Sequence, residues 1–168
     1  SVASFFVSRV DSAVDEALEQ AGNRDLRGRI SIANAKNVYR IFQEVFTGDR
    51  WNELAWAGAR VQRVLWASTG TKNPEYSDTL YVDELIGKDT VNTLPPSTLS
   101  FFIDHGVAKE TITTGMHDAE MRMLELKNLG ISLESITEKL QEDGVQSFAA
   151  SYDNLLNAIA EKQKGIVI

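Results

Sequence analysis

At 168 residues, 43% of them hydrophobic and 24% charged, the chain has the make-up of one globular domain able to bury a core. Its 17 lysines and arginines face 24 aspartates and glutamates, and the net charge of −7 opposes nucleic acid and anionic membranes, so an anionic ligand needs a local basic site. The absence of cysteine excludes a disulfide framework, thiolate chemistry and Cys-ligated metals, and makes a reducing compartment the expectation.

The chain opens on Val2 to Ser8, a short apolar run rich in β-formers that predicts a strand covered on both faces, as in a parallel sheet. The run is too short, and too uncharged at its front, for a signal peptide, and no apolar stretch of membrane-spanning length follows. A cytoplasmic protein is expected, and an opening strand without an initiating Met reads as the start of a fragment. Asp11 is then expected to cap a helix with Ala13, Val14, Ala17 and Leu18 on its apolar stripe, ending near Gly22. A longer amphipathic helix is predicted from Ile30 to Phe46, broken at Gly48-Asp49 and followed by a short helix from Trp51 to Ala57.

A second strand is predicted from Val61 to Ser68, ending at a loop of turn formers from Thr69 to Pro74. A helix through Tyr81, Val82, Leu85 and Ile86 closes at Gly87, and a third strand near Thr90 to Leu94 is stopped by Pro95-Pro96. Ser97 or Thr98 opens the next helix, through Leu99, Phe102 and Ile103. From about Asp118 only helical stripes remain: Met121 to Leu129, Leu133 to Leu140, and Val145 to Ile159. The alternation gives an α/β fold of about three parallel strands over residues 1–117, then C-terminal helices over 118–168, in a single domain. Three parallel strands alone leave two open edges, which closing a barrel removes. A (β/α)8 TIM barrel needs roughly 250 residues, so this chain is expected to hold the last part of one.

Four ordered blocks carry a specific likeness: Ala3 to Asp11 (ASFFVSRVD), Ile32 to Lys36 (IANAK), Trp66 to Asp78 (WASTGTKNPEYSD) and Thr90 to Pro96 (TVNTLPP). They resemble successive landmarks of the long bacterial transaldolases, from the sixth barrel strand through the eighth and into the C-terminal helices. The resemblance implies a pentose phosphate pathway transferase that passes a dihydroxyacetone unit between sugar phosphates through a Schiff base. The substrates would be sedoheptulose 7-phosphate, fructose 6-phosphate, erythrose 4-phosphate and glyceraldehyde 3-phosphate, with no cofactor and no metal. The imine-forming lysine and its assisting aspartate and glutamate belong to strands preceding Ser1, so no catalytic residue is expected in this segment. Alone it should be inactive, and it needs the earlier strands from the same or a second chain. What the resemblance leaves here is the phosphate side of the site. Ser4 matches a substrate-facing serine, Arg9 a phosphate-binding arginine and Ser68 a phosphate-contacting serine. Where shorter transaldolases carry a second arginine this chain has Gly70, and Lys72 is the expected substitute cation.

The physical case runs beside the resemblance. In TIM barrels functional residues sit at the C-terminal ends of strands, and phosphate often binds at the last loops and nearby helix N-termini. Arg9, Ser68 and Lys72 are predicted at such ends, where a guanidinium fork, a hydroxyl and a mobile ammonium together trap an anion. Plainer readings stand against it: Arg9 paired with Asp11, and residues 68–72 as a polar turn, which lacks P-loop spacing. Lys72 on a flexible, glycine-containing loop would be solvated and badly aimed as an imine-forming amine. His105 and His117 have no metal-ligand spacing and are expected at the surface. Asp83-Glu84, Glu134 with Glu138, and Glu142-Asp143 are expected on solvated helix faces, and Trp51, Trp56 and Trp66 in helix-to-barrel packing. Two rival functions remain: a non-catalytic phosphate-binding or assembly module that pairs its strand edges with another copy, and another phosphate-binding barrel such as an aldolase.

Overall fold

A computed structural model describes residues 1–165. They run β1 (Val2–Phe6), α1 (Val7–Gln20), α2 (Ile30–Val45), α3 (Asp49–Trp56), β2 (Arg63–Ala67), α4 (Leu80–Asp83), β3 (Thr90–Asn92), α5 (Pro96–His105), α6 (Met116–Asn128) and α7 (Leu133–Lys164). The strands form one parallel sheet in the order β1-β2-β3, with Phe6 opposite Ala67 and Trp66 opposite Asn92, so their C-terminal ends lie along one rim. Three parallel strands joined through helices and followed by C-terminal helices are the α/β arrangement of a partial TIM barrel.

The chain divides into two compact units, Ser1–Ser132 and Leu133–Ile168. In the first, Trp66 is fully buried, its indole N–H donating to the Leu85 carbonyl at 3.0 Å, with Phe5 edge-on to its ring at 5.9 Å. Ile32, Ala35 and Tyr39 of α2 and Val64 of β2 complete the layer between helix and sheet, and α6 packs on α2 through Ala119 and Leu126. The second unit is α7, whose described residues are all at least partly exposed, with Val145, Phe148, Tyr152, Leu155 and Ile159 at helical spacing.

Several element bounds differ from the sequence reading. β1 stops at Phe6 rather than Ser8, and α1 starts at once, so Ser8, Arg9 and Asp11 are helical. The reason is the stripe Val7, Val10, Val14 and Leu18, all buried, whose three- and four-residue spacing continues the apolar face of α1 back to the strand. Asp11 therefore lies inside this helix instead of capping it. β1 was expected to be covered on both faces, yet Val2 and Phe6 are 39% and 45% exposed, because they alternate with Ser4 onto the face opposite Phe5, which alone meets the core. Residues 133–159, read as successive stripes, lie in one continuous helix.

α2 is capped from outside. Its N-cap position, Arg29, supplies no side-chain hydrogen bond, but the Ser31 N–H donates to Asp11 Oδ1 at 3.1 Å and the Gly28 N–H just before the helix to Asp15 Oδ1 at 3.0 Å. Asp11 and Asp15 sit four residues apart on α1, on the same face as its buried valines, and carboxylates at that place satisfy orphan N–H groups and favour the helix dipole. Gly28 adopts φ +69°, and a Cβ there would come within 2.9 Å of Tyr76 Cζ. Gly28→Ala is expected to lower stability by about 1–3 kcal/mol through a strained left-handed backbone and displacement of the tyrosine ring. Gly22, at φ +72° with no atom within 4 Å of where a Cβ would stand, isolates the backbone contribution, so in urea denaturation Gly22→Ala should be the milder change.

Candidate functional site

The rim at the C-terminal strand ends is stitched by short polar side chains. The Ser8 N–H donates to the Ser68 carbonyl at 2.9 Å, and the two hydroxyls lie 2.7 Å apart. Two hydroxyls sharing one hydrogen bond keep one O–H for a further acceptor. Ser68 holds a left-handed backbone, φ +57°, uncommon for a residue with a Cβ. Next to it, the fully buried Thr69 directs its hydroxyl to Asn92 Oδ1 at 2.9 Å and the Thr93 carbonyl at 3.0 Å. The Thr93 N–H in turn donates to the Trp66 carbonyl at 3.0 Å. The rim thus runs without a break from α1 across the end of β2 to the end of β3.

Arg9 lies in the first turn of α1, exposed, with its guanidinium carbon 4.8 Å from the centroid of the Phe6 ring. It does not pair with Asp11, which is buried and already accepts from Ser31 and from the Tyr81 hydroxyl at 2.7 Å. Lys72 is exposed on the loop after β2. Among the described residues neither Arg9 nor Lys72 is in an ion pair. Ser4, opposite Leu65 in the sheet, is exposed and shares a face of β1 with Phe6, away from Phe5 and the core. The structure therefore joins the residue preceding Arg9 directly to Ser68, while Ser4 and Lys72 make no hydrogen bond with that pair.

Sequence reasoning missed Ser8 and Thr69, and also two acid–phenol contacts below the rim. Tyr76 donates to Asp15 Oδ2 at 2.5 Å, and Tyr81 to Asp11 Oδ2. Burial pushes the Asp11 carboxyl up to about 6, against the opposing effect of hydrogen bonds from Tyr81 and the Ser31 N–H, and the nearby Asp15 adds to the rise. Burial, then the neighbouring carboxylates, raise both phenols, so they remain protonated donors. The readable signal was two aspartates at i, i+4 on an apolar helix face; their partners, 61 and 70 residues away, had none.

Other sequence expectations change. Asp83 and Glu84 are half-buried rather than solvated: Asp83 accepts from the Thr79 hydroxyl at 2.6 Å and the Val107 N–H at 3.0 Å, and Glu84 from the Lys36 ammonium at 3.1 Å. The four-residue α4 ends there, so these carboxylates fall at a junction of elements instead of along an outer face. Trp66 is core and Trp51 packs edge-on to Phe46, but Trp56, at the last position of α3, is 92% exposed. His105 is exposed and bridges Asp78 and Asp104, which raise its pKa by hydrogen bonding. Among the described residues no group of three or more His, Asp or Glu is placed to hold a metal, and no helix is long and apolar enough to cross a membrane.

Parallel strands leading into helices, with serine hydroxyls meeting beyond their C-terminal ends, define the class of βα-barrel proteins. A family model described as Transaldolase/Fructose-6-phosphate aldolase matches residues 1–159, and the chain belongs to that family. It is 52% identical to a transaldolase of Mycobacterium ulcerans over 94% of this chain and 44% of that protein. Similarity to "Transaldolase 1" of Streptomyces avermitilis is 47% over 98% of this chain and 45% of that protein. With a transaldolase of Neisseria meningitidis it is 49% over 92% and 43%. The chain spans less than half the length of these curated relatives.

Two outcomes are expected. Ser68→Ala and Ser68→Gly both delete the hydroxyl shared with Ser8, but only glycine relieves the left-handed backbone, so Ser68→Gly should be the more stable by about 1 kcal/mol in urea denaturation. Because the folded Asp11 pKa of about 6 exceeds the unfolded value near 3.8, the folded state binds the extra proton between them. Stability from this group is greatest below about pH 4 and falls by about 3 kcal/mol as pH rises through about 6. Unfolding free energies measured from pH 4 to 7 should lose that part of their slope in Asp11→Asn.

Proposed function

We propose that this chain forms the phosphate-recognising part of a transaldolase acting in the pentose phosphate pathway of the cytoplasm. In this reading a dihydroxyacetone unit passes between sugar phosphates through an imine on a lysine outside these 168 residues. Fructose 6-phosphate and sedoheptulose 7-phosphate are donors, and erythrose 4-phosphate and glyceraldehyde 3-phosphate acceptors, their phosphates using one pocket in turn. Arg9 offers a fork of N–H donors, Ser68 a hydroxyl, Lys72 a second charge, and Ser4 faces the sugar from β1. The whole segment, residues 1–168, acts as one portion of a barrel domain completed by further strands.

The observation that carries this reading is the Ser8–Ser68 contact, which brings the first turn of the Arg9 helix against the end of β2 in a protein of net charge −7. The two lysines within the matched blocks, Lys36 and Lys72, favour chemistry elsewhere. Lys36 is buried, its ammonium donating to Glu84 and to the Thr114 carbonyl at 2.8 Å, and Lys72 is exposed to solvent, without the apolar pocket that makes a lysine amine nucleophilic. Incubated with fructose 6-phosphate and borohydride, the 168-residue chain should acquire no reduced adduct; a stoichiometric adduct mapped by mass spectrometry to Lys36 or Lys72 contradicts the assignment. Arg9→Ala should raise the Kd for inorganic phosphate tenfold or more, read by calorimetry, on the order expected for a lost charged hydrogen bond.

A second reading, an assembly module, draws on the outer edges of β1 and β3, unpaired among the described residues, and the exposed Val2 and Phe6. It predicts a self-associated species whose mass in solution, by light scattering, responds to sugar phosphate.

A further inference from the structure

We propose that Asp15 and Tyr76 are positioning residues of the anion site, fixing how far Lys72 reaches from Arg9. This rests on reading Arg9, Ser68 and Lys72 as phosphate ligands. The loop that carries Lys72 is anchored at both ends. On one side Thr69 is fully buried and tied to Asn92 and Thr93; on the other a turn runs from Asn73 to Tyr76, with the Tyr76 N–H donating to the Asn73 carbonyl at 3.1 Å. Gly70, Thr71 and Lys72 alone lie between anchor and turn.

The far anchor is the more constrained. The Tyr76 ring lies against Gly28, and its hydroxyl donates to Asp15 Oδ2, while Asp15 Oδ1 accepts the Gly28 N–H. The adjacent Glu75 adds only an exposed ion pair to Arg27 at 3.1 Å, which is weak in water. Asp15 belongs to the helix whose first turn carries Arg9, roughly 9 Å further along its axis by the standard rise. One rigid helix therefore links Arg9 to Asp15, and one short turn links Tyr76 to Lys72. The Asp15–Tyr76 contact closes the loop of constraints between the two cations, and neither residue needs to touch the anion.

A double-mutant cycle on the 168-residue chain tests this, with inorganic phosphate as the probe, calorimetric Kd as the readout and thermal unfolding followed alongside. Tyr76→Phe keeps the ring against Gly28 and removes only the hydroxyl. It should raise the Kd about three- to tenfold at temperatures well below unfolding, and Asp15→Asn should do the same. In a Lys72→Ala background Tyr76→Phe should have no further effect, a non-additivity that a general loss of stability does not produce. The positioning role is overturned if Tyr76→Phe leaves the Kd unchanged while Arg9→Ala and Lys72→Ala weaken it, or if it weakens binding equally without Lys72. If the wild-type chain does not bind phosphate, or Arg9→Ala and Lys72→Ala leave the Kd unaltered, the phosphate reading itself fails and this inference with it.

Discussion

Two carboxylates on the buried face of α1 organise the first unit. Asp11 and Asp15 each take one backbone N–H at the start of α2 and one tyrosine hydroxyl from the segment that follows β2. Burying a carboxylate is unfavourable, and the raised Asp11 pKa records that cost; four hydrogen bonds over the two groups offset it. α2 lacks a local cap, and the loop after β2 lacks regular structure, so both take their position from the same pair of side chains.

The consequence reaches the rim. With β1 passing into α1 without a loop, Ser8 stands close enough to meet Ser68 through both backbone and hydroxyl. Thr69 extends the same line to β3. These are neutral groups; in the proposed site the positive charge comes from Arg9, laid over Phe6, and from the exposed Lys72. In an acidic protein the proposed anion site depends on cations that are not already neutralised, and Arg9 and Lys72 are in no ion pair among the described residues. The aspartates nearest to Arg9 in sequence do not compete for it, because their oxygens are already engaged below the rim.

The sheet has two outer edges without partners among the described residues, and β1 keeps much of its surface open. Parallel strands are usually covered on both faces and closed or flanked at both edges. Set beside relatives more than twice as long, these open edges fit the proposed completion of a barrel by further strands.

What neighbouring residues encode was legible in the sequence: the strand–helix alternation, the parallel class, and α2, read as Ile30 to Phe46 and found as Ile30–Val45. Side-chain periodicity is a local property, and four blocks, three on predicted strands and the loops that follow and one on a predicted helix, were enough to mark the family. The tertiary structure alone decided that Arg9 is helical, that Ser8 meets Ser68, and that Lys36 is held by Glu84 inside the fold. It also gave Asp11 and Asp15 their tyrosine partners. Those contacts span 48 to 70 residues, and which groups meet across such a distance depends on the path by which each crossover returns to the sheet, which no local pattern records.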